Sequence, residues 1–181
     1  AALVLAFDFP KARNLFQKLD METQASGNQL LRGNIHEIMA QASLYAGDLS
    51  EAFRLLQLAE AILAQTENFD RLFVDKWLAI TSALKDKASP SSVEAIEKVR
   101  QKARERHHWE TLRECDLFEA IARGDGKRLR RVYFGTWFPA YRARVAFLSK
   151  QGFTGEEFFD DPPEAAADTP RFSQLLDPLQ T

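Results

Sequence analysis

The feature that most constrains the fold is a repeat with a spacing of about forty residues. The stretch "FDFPKARNLFQKL" (residues 7–19) aligns with "GDLSEAFRLLQLA" (residues 47–59). Ala12 then pairs with Ala52, a spacing of 52 − 12 = 40 residues. When a turn residue, a small residue and apolar residues recur together at one spacing, the chain is expected to fold as stacked supersecondary units.

The apolar residues recur at steps of three and four, which predicts amphipathic helices. Alternating strand patterns longer than a few residues are missing from the sequence, so we predict an all-α fold. Gly47 is expected to end one helix, and Ser50 is expected to be the N-cap of the next. The predicted helices cover residues 30–45, 50–63, 69–84, 107–123 and 127–134. A further apolar stripe begins at residue 93, and a last helix is predicted from residue 138.

The composition changes after residue 150. The stretch "FFDDPPEAAADTP" holds three of the seven prolines and a cluster of acids, with little periodicity. We therefore predict a helical domain over residues 1–150 and an irregular, acidic, proline-containing tail or linker over residues 151–181.

The order G-x-L-x-x-A-x-x-x-L-x-x-A, which begins at Gly47, resembles the second half of a tetratricopeptide repeat (TPR). Its small residue, Ala52, has counterparts at Ala12, at Ala95 (95 − 52 = 43) and at Leu129 (129 − 95 = 34). A spacing that varies around forty is similar to the TPR-like helical repeats of bacterial transcription activators and signalling proteins. The resemblance implies an α-α superhelix, or solenoid, of about four antiparallel helical hairpins.

Arrays of this kind present extended binding surfaces rather than catalytic groups. The resemblance therefore implies a cytoplasmic protein-interaction or regulatory module, which we expect to be part of a larger, bacterial protein. It also implies that a partner lies along the first helices of successive repeats. The outward residues expected to bind this partner are Asn34, Glu37, Gln41, Glu114 and Phe118.

The formal net charge of −2 hides a strong segregation of charge. Residues 98–144 contain 13 Lys and Arg against 6 Asp and Glu, whereas residues 152–181 contain 7 acids and one Arg. The basic segment has three interpretations: solvated helix faces, a surface for an acidic peptide such as the chain's own tail, or a nucleic-acid interface. Its candidate basic patch consists of Arg104, Arg106, Lys127, Arg128, Arg130, Arg131 and Arg142.

Motifs for catalysis or cofactor binding are incomplete in this sequence. Gly126 and Lys127 resemble the end of a phosphate-binding loop, but Ile121 and Arg128 stand where that motif needs Gly and Ser or Thr. His107, His108 and Cys115 would need remote ligands to complete a tetrahedral metal site. We therefore predict no enzyme activity, no metal and no cofactor. A single cysteine cannot form an internal disulfide, which fits a reducing cytoplasm.

Two further hypotheses concern apolar residues. Aromatic side chains could line a small-molecule sensor pocket between helices. The apolar N-terminal stretch, residues 1–16, is predicted to favour a homodimer, because a terminal repeat without a polar cap exposes apolar surface. The residues of the hypothetical pocket are Phe69, Phe73, Trp77, Trp109 and Phe118.

Overall fold

The computed structural model describes residues 9–64 and 70–128. This part of the chain is built from helices and turns, which confirms the all-α prediction. The six helices are α1 (Phe9–Ala25), α2 (Gln29–Tyr45), α3 (Leu49–Leu63), α4 (Asp70–Asp86), α5 (Pro90–Glu105) and α6 (Trp109–Arg123).

Four helix ends share one turn geometry, in which a single residue takes a left-handed conformation. Gly27, Gly47 and Gly124 have φ angles of 68°, 86° and 64°, and His107 has 53°. Glycine adopts this conformation without steric cost, whereas a residue with a Cβ does so less readily. The glycines therefore explain three of these turns from the sequence, and the fourth, at His107, was not predicted.

The residue after each left-handed residue caps the next helix. Asn28 and Asp48 each accept a hydrogen bond of 3.0 Å from the backbone N–H three residues ahead. His108 Nδ1 accepts a hydrogen bond of 3.3 Å from the backbone N–H of Thr111, and Asp125 Oδ1 accepts one of 2.9 Å from the backbone N–H of Arg128. The prediction that Ser50 caps the third helix is therefore wrong: Asp48 is the N-cap, and Ser50 lies inside the first turn.

The other helix starts follow the same chemistry. Ser89 is the N-cap of α5 and Pro90 is its first residue, as expected for a helix entry with a preset φ. The predicted helix 107–123 begins two residues later, at Trp109, because His107 and His108 form the turn and the cap.

The helices pack in two layers. α2, α4 and α6 follow one another in the first layer, while α1, α3 and α5 pack against them from the other side. Consecutive helices also pack together, which is the pattern of stacked helical hairpins. Gly33 of α2 allows α3 to approach closely, because a Cβ there would lie 2.5 Å from Leu63 Cγ.

The buried positions of the second layer test the predicted repeat. Ala12 and Ala52 are both fully buried, which confirms the spacing of 40 residues between α1 and α3. In α5 the corresponding buried residue is Ile96, so the spacing is 96 − 52 = 44, and the prediction of Ala95 is wrong by one residue. The buried stripe of α5 runs through Ser92, Ile96, Val99 and Ala103, which leaves Ala95 half-buried at its edge.

The interior contains most of the predicted apolar stripes. In α3, five expected residues are buried: Ala52, Leu55, Leu56, Ala59 and Leu63. In α2 the prediction fails at its first turn, where Leu30 and Leu31 are 42% and 47% exposed. Their place at the N-terminal end of α2 leaves them outside the contact with α3.

Candidate functional site

Three aromatic rings join the helices of the first layer. Tyr45 of α2, Trp77 of α4 and Phe118 of α6 have ring centroids 5.4–6.3 Å apart, with edge-to-face or tilted packing. All three are almost completely buried. Such ring pairs stabilise a core beyond the area that they bury. This aromatic triad therefore fixes the relative positions of α2, α4 and α6.

The structure does not gather the residues of the hypothetical sensor pocket around one cavity. Trp77 and Phe118 pack against each other in the core, whereas Phe73 packs against His108, with the two ring centroids 5.3 Å apart. Trp109 is 60% exposed. Phe69 lies outside the described residues.

A cluster of buried charges lies in the same layer as the triad. Lys76 of α4 donates a hydrogen bond from Nζ to Oε2 of Glu114 on α6. Glu37 of α2 accepts a hydrogen bond of 2.7 Å from Gln41 Nε2 and interacts electrostatically with both charges. The exposed fractions of Glu37, Lys76 and Glu114 are only 8%, 3% and 3%. We call these four residues the central cluster.

The central cluster holds two carboxyl groups and one ammonium group in the interior. Burial raises the pKa of Glu37 to about 7, because an ionised carboxylate loses its hydration there, and the attraction of Lys76 opposes this effect only in part. The Lys76 ammonium also lies 4.6 Å from the centroid of the Trp77 ring, a distance suited to a cation–π contact. Near neutral pH, Glu37 therefore exchanges a proton with its surroundings.

The five residues predicted to bind a partner are placed differently from the expectation. Glu37, Glu114 and Phe118 were expected to point outward, and this placement is wrong, since all three are buried. Asn34 and Gln41 are half-buried. Four of the five nevertheless come together around Lys76 and Trp77: Glu37, Gln41, Glu114 and Phe118.

The convergence has a simple origin in the repeat. Glu37 and Glu114 are 114 − 37 = 77 residues apart, as are Gln41 and Phe118, so each pair occupies equivalent positions two repeats apart. The helix between them, α4, brings Lys76 to both. Sequence reasoning missed Lys76, although a lysine directly before a tryptophan of an apolar stripe was a usable signal. Whether these residues contact a partner stays a prediction.

The predicted basic patch is only partly a free positive surface. Within the described residues, Arg104 donates to Glu97 at 2.8 Å, and Arg128 donates to Asp116 at 3.0 Å. Arg106 and Lys127 are exposed. Arg130, Arg131 and Arg142 lie outside the described residues.

In a second charge cluster, several arginines of the basic segment form ion pairs with acids of α6. Arg100, on α5, donates to Asp116 at 2.6 Å and also to Glu119, both on α6. Arg123 donates to Glu119 at 2.8 Å, and Arg128 also approaches both carboxylates. The pKa of Glu119 is held below its ordinary value: burial raises it, and hydrogen bonds from Arg100 and Arg123 outweigh that effect. We call these five residues the Arg100 cluster.

Two grooves of similar size lie between the helices of the second layer. The first, of about 420 Å³, lies between α1 and α3 over the C-terminal half of α2. The second, of about 390 Å³, lies between α3 and α5 over α4. The α2 and α4 residues that line them correspond at a constant spacing, with Met39, Ala42, Ser43 and Ala46 in the first and Asp75, Leu78, Ala79 and Ser82 in the second.

The two grooves differ in their charged rims. In the first groove, Arg54 is held by two hydrogen bonds of 2.7 Å to Glu51. The second groove has Lys98 and Lys102 along its α5 side, and Lys102 donates to Asp75 at 2.7 Å. Both grooves have volumes within the range of about 300–1,000 Å³ typical of ligand sites.

The residues of the hypothetical metal site have other roles. His108 caps α6 through Nδ1, and Cys115 is completely buried. Burial raises the pKa of Cys115 to about 12, so its thiol stays protonated. Across residues 9–64 and 70–128, no group of three or more His, Cys, Asp or Glu side chains is arranged to hold a metal ion.

Comparisons with known proteins give no match to a family model, to a curated protein or to a solved structure. In the described part of the chain, every helix is too short or too polar to cross a membrane. The geometry therefore carries the functional argument.

Proposed function

We propose that this chain is a TPR-like recognition module that binds a protein or peptide segment as part of a larger bacterial signalling or transcription-regulatory protein in the cytoplasm. The observation that carries the proposal is the pair of repeat-related grooves in the second layer. Stacked hairpins provide such a series of grooves along one face, and an extended partner can occupy successive members of it.

The floor of the second groove supports a peptide partner. Leu78, Ala79 and Val99 provide apolar contacts, and charged side chains stand at the rim. This combination of an apolar centre with a polar margin is typical of protein interaction sites.

The ion pairs of the basic segment disfavour nucleic acid as the partner. Arg100 and Arg128 are held by Asp116 of α6, and Arg104 is held by Glu97 of its own helix, α5. A phosphate backbone would have to displace these carboxylates, and their negative charges would repel it. We therefore expect weak binding of the full chain to a random DNA duplex, with little dependence on salt concentration.

Photo-crosslinking tests the proposal. A benzophenone amino acid is placed at Gln57, which lines the second groove, at Gln17, which lines the first, or at Gln101, an exposed residue of α5 that lines neither. Each full-length variant is irradiated in an extract of the source cells. A protein adduct formed at Gln57 or Gln17, and not at Gln101, is the expected result.

A matched variant connects the adduct with the groove itself. Ser82→Arg fills the second groove from its α4 floor and should suppress the Gln57 adduct while the Gln17 adduct remains. Equal labelling at all three positions would contradict the proposal. Adducts with nucleic acid, together with binding of a DNA duplex that falls steeply with salt, would replace it with the nucleic-acid interface.

A further inference from the structure

The valley between a second-layer helix and the first-layer helix that follows it occurs three times in the described structure. The three valleys lie between α1 and α2, between α3 and α4, and between α5 and α6. α2 lies in the second valley and α4 lies in the third, each in contact with both helices of its valley. Among the described helices, none occupies the first valley in this way. We propose that this open valley, between α1 and α2, is a docking site for an amphipathic helix of a partner protein.

The α1 side of the open valley is exposed where its counterparts are buried. Leu15 corresponds to Leu55 of α3 (55 − 15 = 40) and to Val99 of α5 (99 − 55 = 44). Leu55 and Val99 are 3% and 4% exposed, whereas Leu15 is 47% exposed. Leu19, one helical turn after Leu15, is half-buried, while its counterpart Ala59 is fully buried.

The α2 side of the open valley shows the same difference. Ile38 corresponds to Val74 of α4 (74 − 38 = 36) and to Cys115 of α6 (115 − 74 = 41). Both counterparts are buried, whereas Ile38 is half-buried. Leu31 lies seven residues before Ile38 on the same face of α2, and it is also exposed. Apolar residues that neighbouring helices expose together are typical of interaction sites.

The third valley shows which chemistry fits such a site. Three residues of α4, Leu72, Ala79 and Ala83, belong to the same buried cluster as Val99 and Cys115, the counterparts of the open valley's residues. The three lie on one face of α4, since they are spaced by seven and four residues. The open valley therefore suits a helix with a stripe of small and apolar residues at this spacing.

A second copy of this chain does not supply such a helix. In the folded chain α4 is surrounded by α2, α3, α5 and α6, and its stripe is buried. The docked helix therefore belongs to a different protein, whose amphipathic face is free before binding.

The open valley is separate from the two grooves. Leu15, Leu19, Leu31 and Ile38 line neither of them. Asn34, one of the residues predicted to bind a partner, lies on the same face of α2 as Leu31 and Ile38 and is half-buried. Its amide offers hydrogen bonds at the edge of an apolar contact. The site thus goes beyond the proposed function, since a helix in the valley leaves both grooves accessible.

Fluorescence anisotropy with the purified full chain tests the proposal. The probe is a labelled peptide of residues 70–86, the helix that lies in the third valley. A lactam bridge between Arg71→Lys and Asp75 keeps the peptide helical and lies outside the stripe of Leu72, Ala79 and Ala83. Saturable binding is expected. Ala79→Asp in the peptide should weaken it about tenfold, because a carboxylate buried in an apolar contact is unfavourable.

Two matched variants of the full chain locate the binding site. Leu15→Asp should weaken binding of the peptide about tenfold, whereas Met21→Asp should leave it unchanged. Met21 is a suitable control because it is 65% exposed on the same helix, and its counterparts Ala61 and Glu105 are exposed too. Circular dichroism checks that both variants keep their helices.

The remaining outcomes would overturn the proposal. These are no binding of the bridged peptide, or equal weakening by Leu15→Asp and Met21→Asp. Binding that appears only after deletion of residues 1–8 would assign the valley to the chain's own N-terminal segment. A dimer that Leu15→Asp dissociates, measured by light scattering, would assign it to a second copy. None of these results bears on the crosslinking test at the grooves.

Discussion

The two charge clusters of this molecule contain the same kinds of side chain but balance them differently. In the central cluster, Lys76 serves two acids and all three charges are buried. In the Arg100 cluster, three arginines surround Asp116 and Glu119, and several of these side chains reach solvent. The pKa of Glu37 is raised and that of Glu119 is lowered. The comparison shows that burial and the supply of cations together decide whether a carboxylate favours its charged form: burial prevails at Glu37, and the hydrogen bonds from Arg100 and Arg123 prevail at Glu119.

The largest effect is expected when the central cluster loses its only cation. Lys76→Met leaves Glu37 and Glu114 buried without compensation, which should lower the free energy of unfolding by about 3–5 kcal/mol. Urea unfolding, monitored by circular dichroism, measures this loss of stability. The triple variant Glu37→Gln, Lys76→Met, Glu114→Gln is the control and should recover most of the loss, since neutral replacements of buried ion groups are well tolerated. A triple variant as unstable as the single one would contradict this account.

The equivalent change in the second cluster should cost less. Arg100→Met removes hydrogen bonds to Asp116 and Glu119, but Arg123 and Arg128 still bind those carboxylates. We expect a loss of about 2 kcal/mol in the free energy of unfolding, the scale of hydrogen bonds to charged groups. A loss equal to that of Lys76→Met would show that the remaining arginines do not compensate.

The pH dependence of stability should have opposite signs in the two clusters. The folded pKa of Glu37 is about 7, above its ordinary value of 4.5, so this residue favours folding at low pH and loses that contribution as the pH rises through 7. As the pH rises from 5 to 8, the free energy of unfolding of Glu37→Gln should therefore increase by about 2 kcal/mol relative to that of the natural chain.

Glu119→Gln should behave in the opposite way. Its lowered pKa means that the ionised carboxylate stabilises the fold above the unfolded-state pKa, and that this contribution disappears as the pH falls through the folded pKa. The variant should be less stable than the natural chain at pH 7 and approach it in acid. Thermal unfolding of both variants from pH 3 to 8 compares the signs, and equal signs would refute the contrast.

The smallest effect is expected at an exposed ion pair at the edge of the Arg100 cluster, where Glu97 also accepts a hydrogen bond of 3.3 Å from Arg100. Arg104 and Glu97 are bonded at 2.8 Å, with about half of each side chain exposed. Because solvent already screens the two charges, Arg104→Ala should change the free energy of unfolding by less than about 0.5 kcal/mol. A loss of the size expected for Arg100→Met would mean that Arg104 belongs to the Arg100 cluster.

The sequence predicted the parts of the fold that depend on local chemistry. Gly47 marked one of the left-handed turns, and the apolar stripe of α3 is buried as expected. The turn at His107 was missed, because a left-handed conformation is uncommon for residues other than glycine. The cap at Asp48 was missed because Ser50 has equal cap propensity, and local sequence does not separate them.

The candidate site was harder to predict, since it depends on contacts between distant helices. Glu114 and Phe118 were assigned to the surface from their position in a repeat, whereas the packing of α6 against α4 buries both. The basic segment looked positive when its charges were counted along the chain. In space, Glu97, Asp116 and Glu119 lie between the arginines.

The buried thiol of Cys115 provides a built-in probe of how often the helices around it separate. Cys115 belongs to a small buried apolar cluster that also contains Leu72 of α4 and Ile96 of α5. Its protonated state and its burial prevent reaction with an alkylating reagent while the three helices remain together. The rate at which the thiol is modified therefore reports how often α4, α5 and α6 separate, with no label added to the chain.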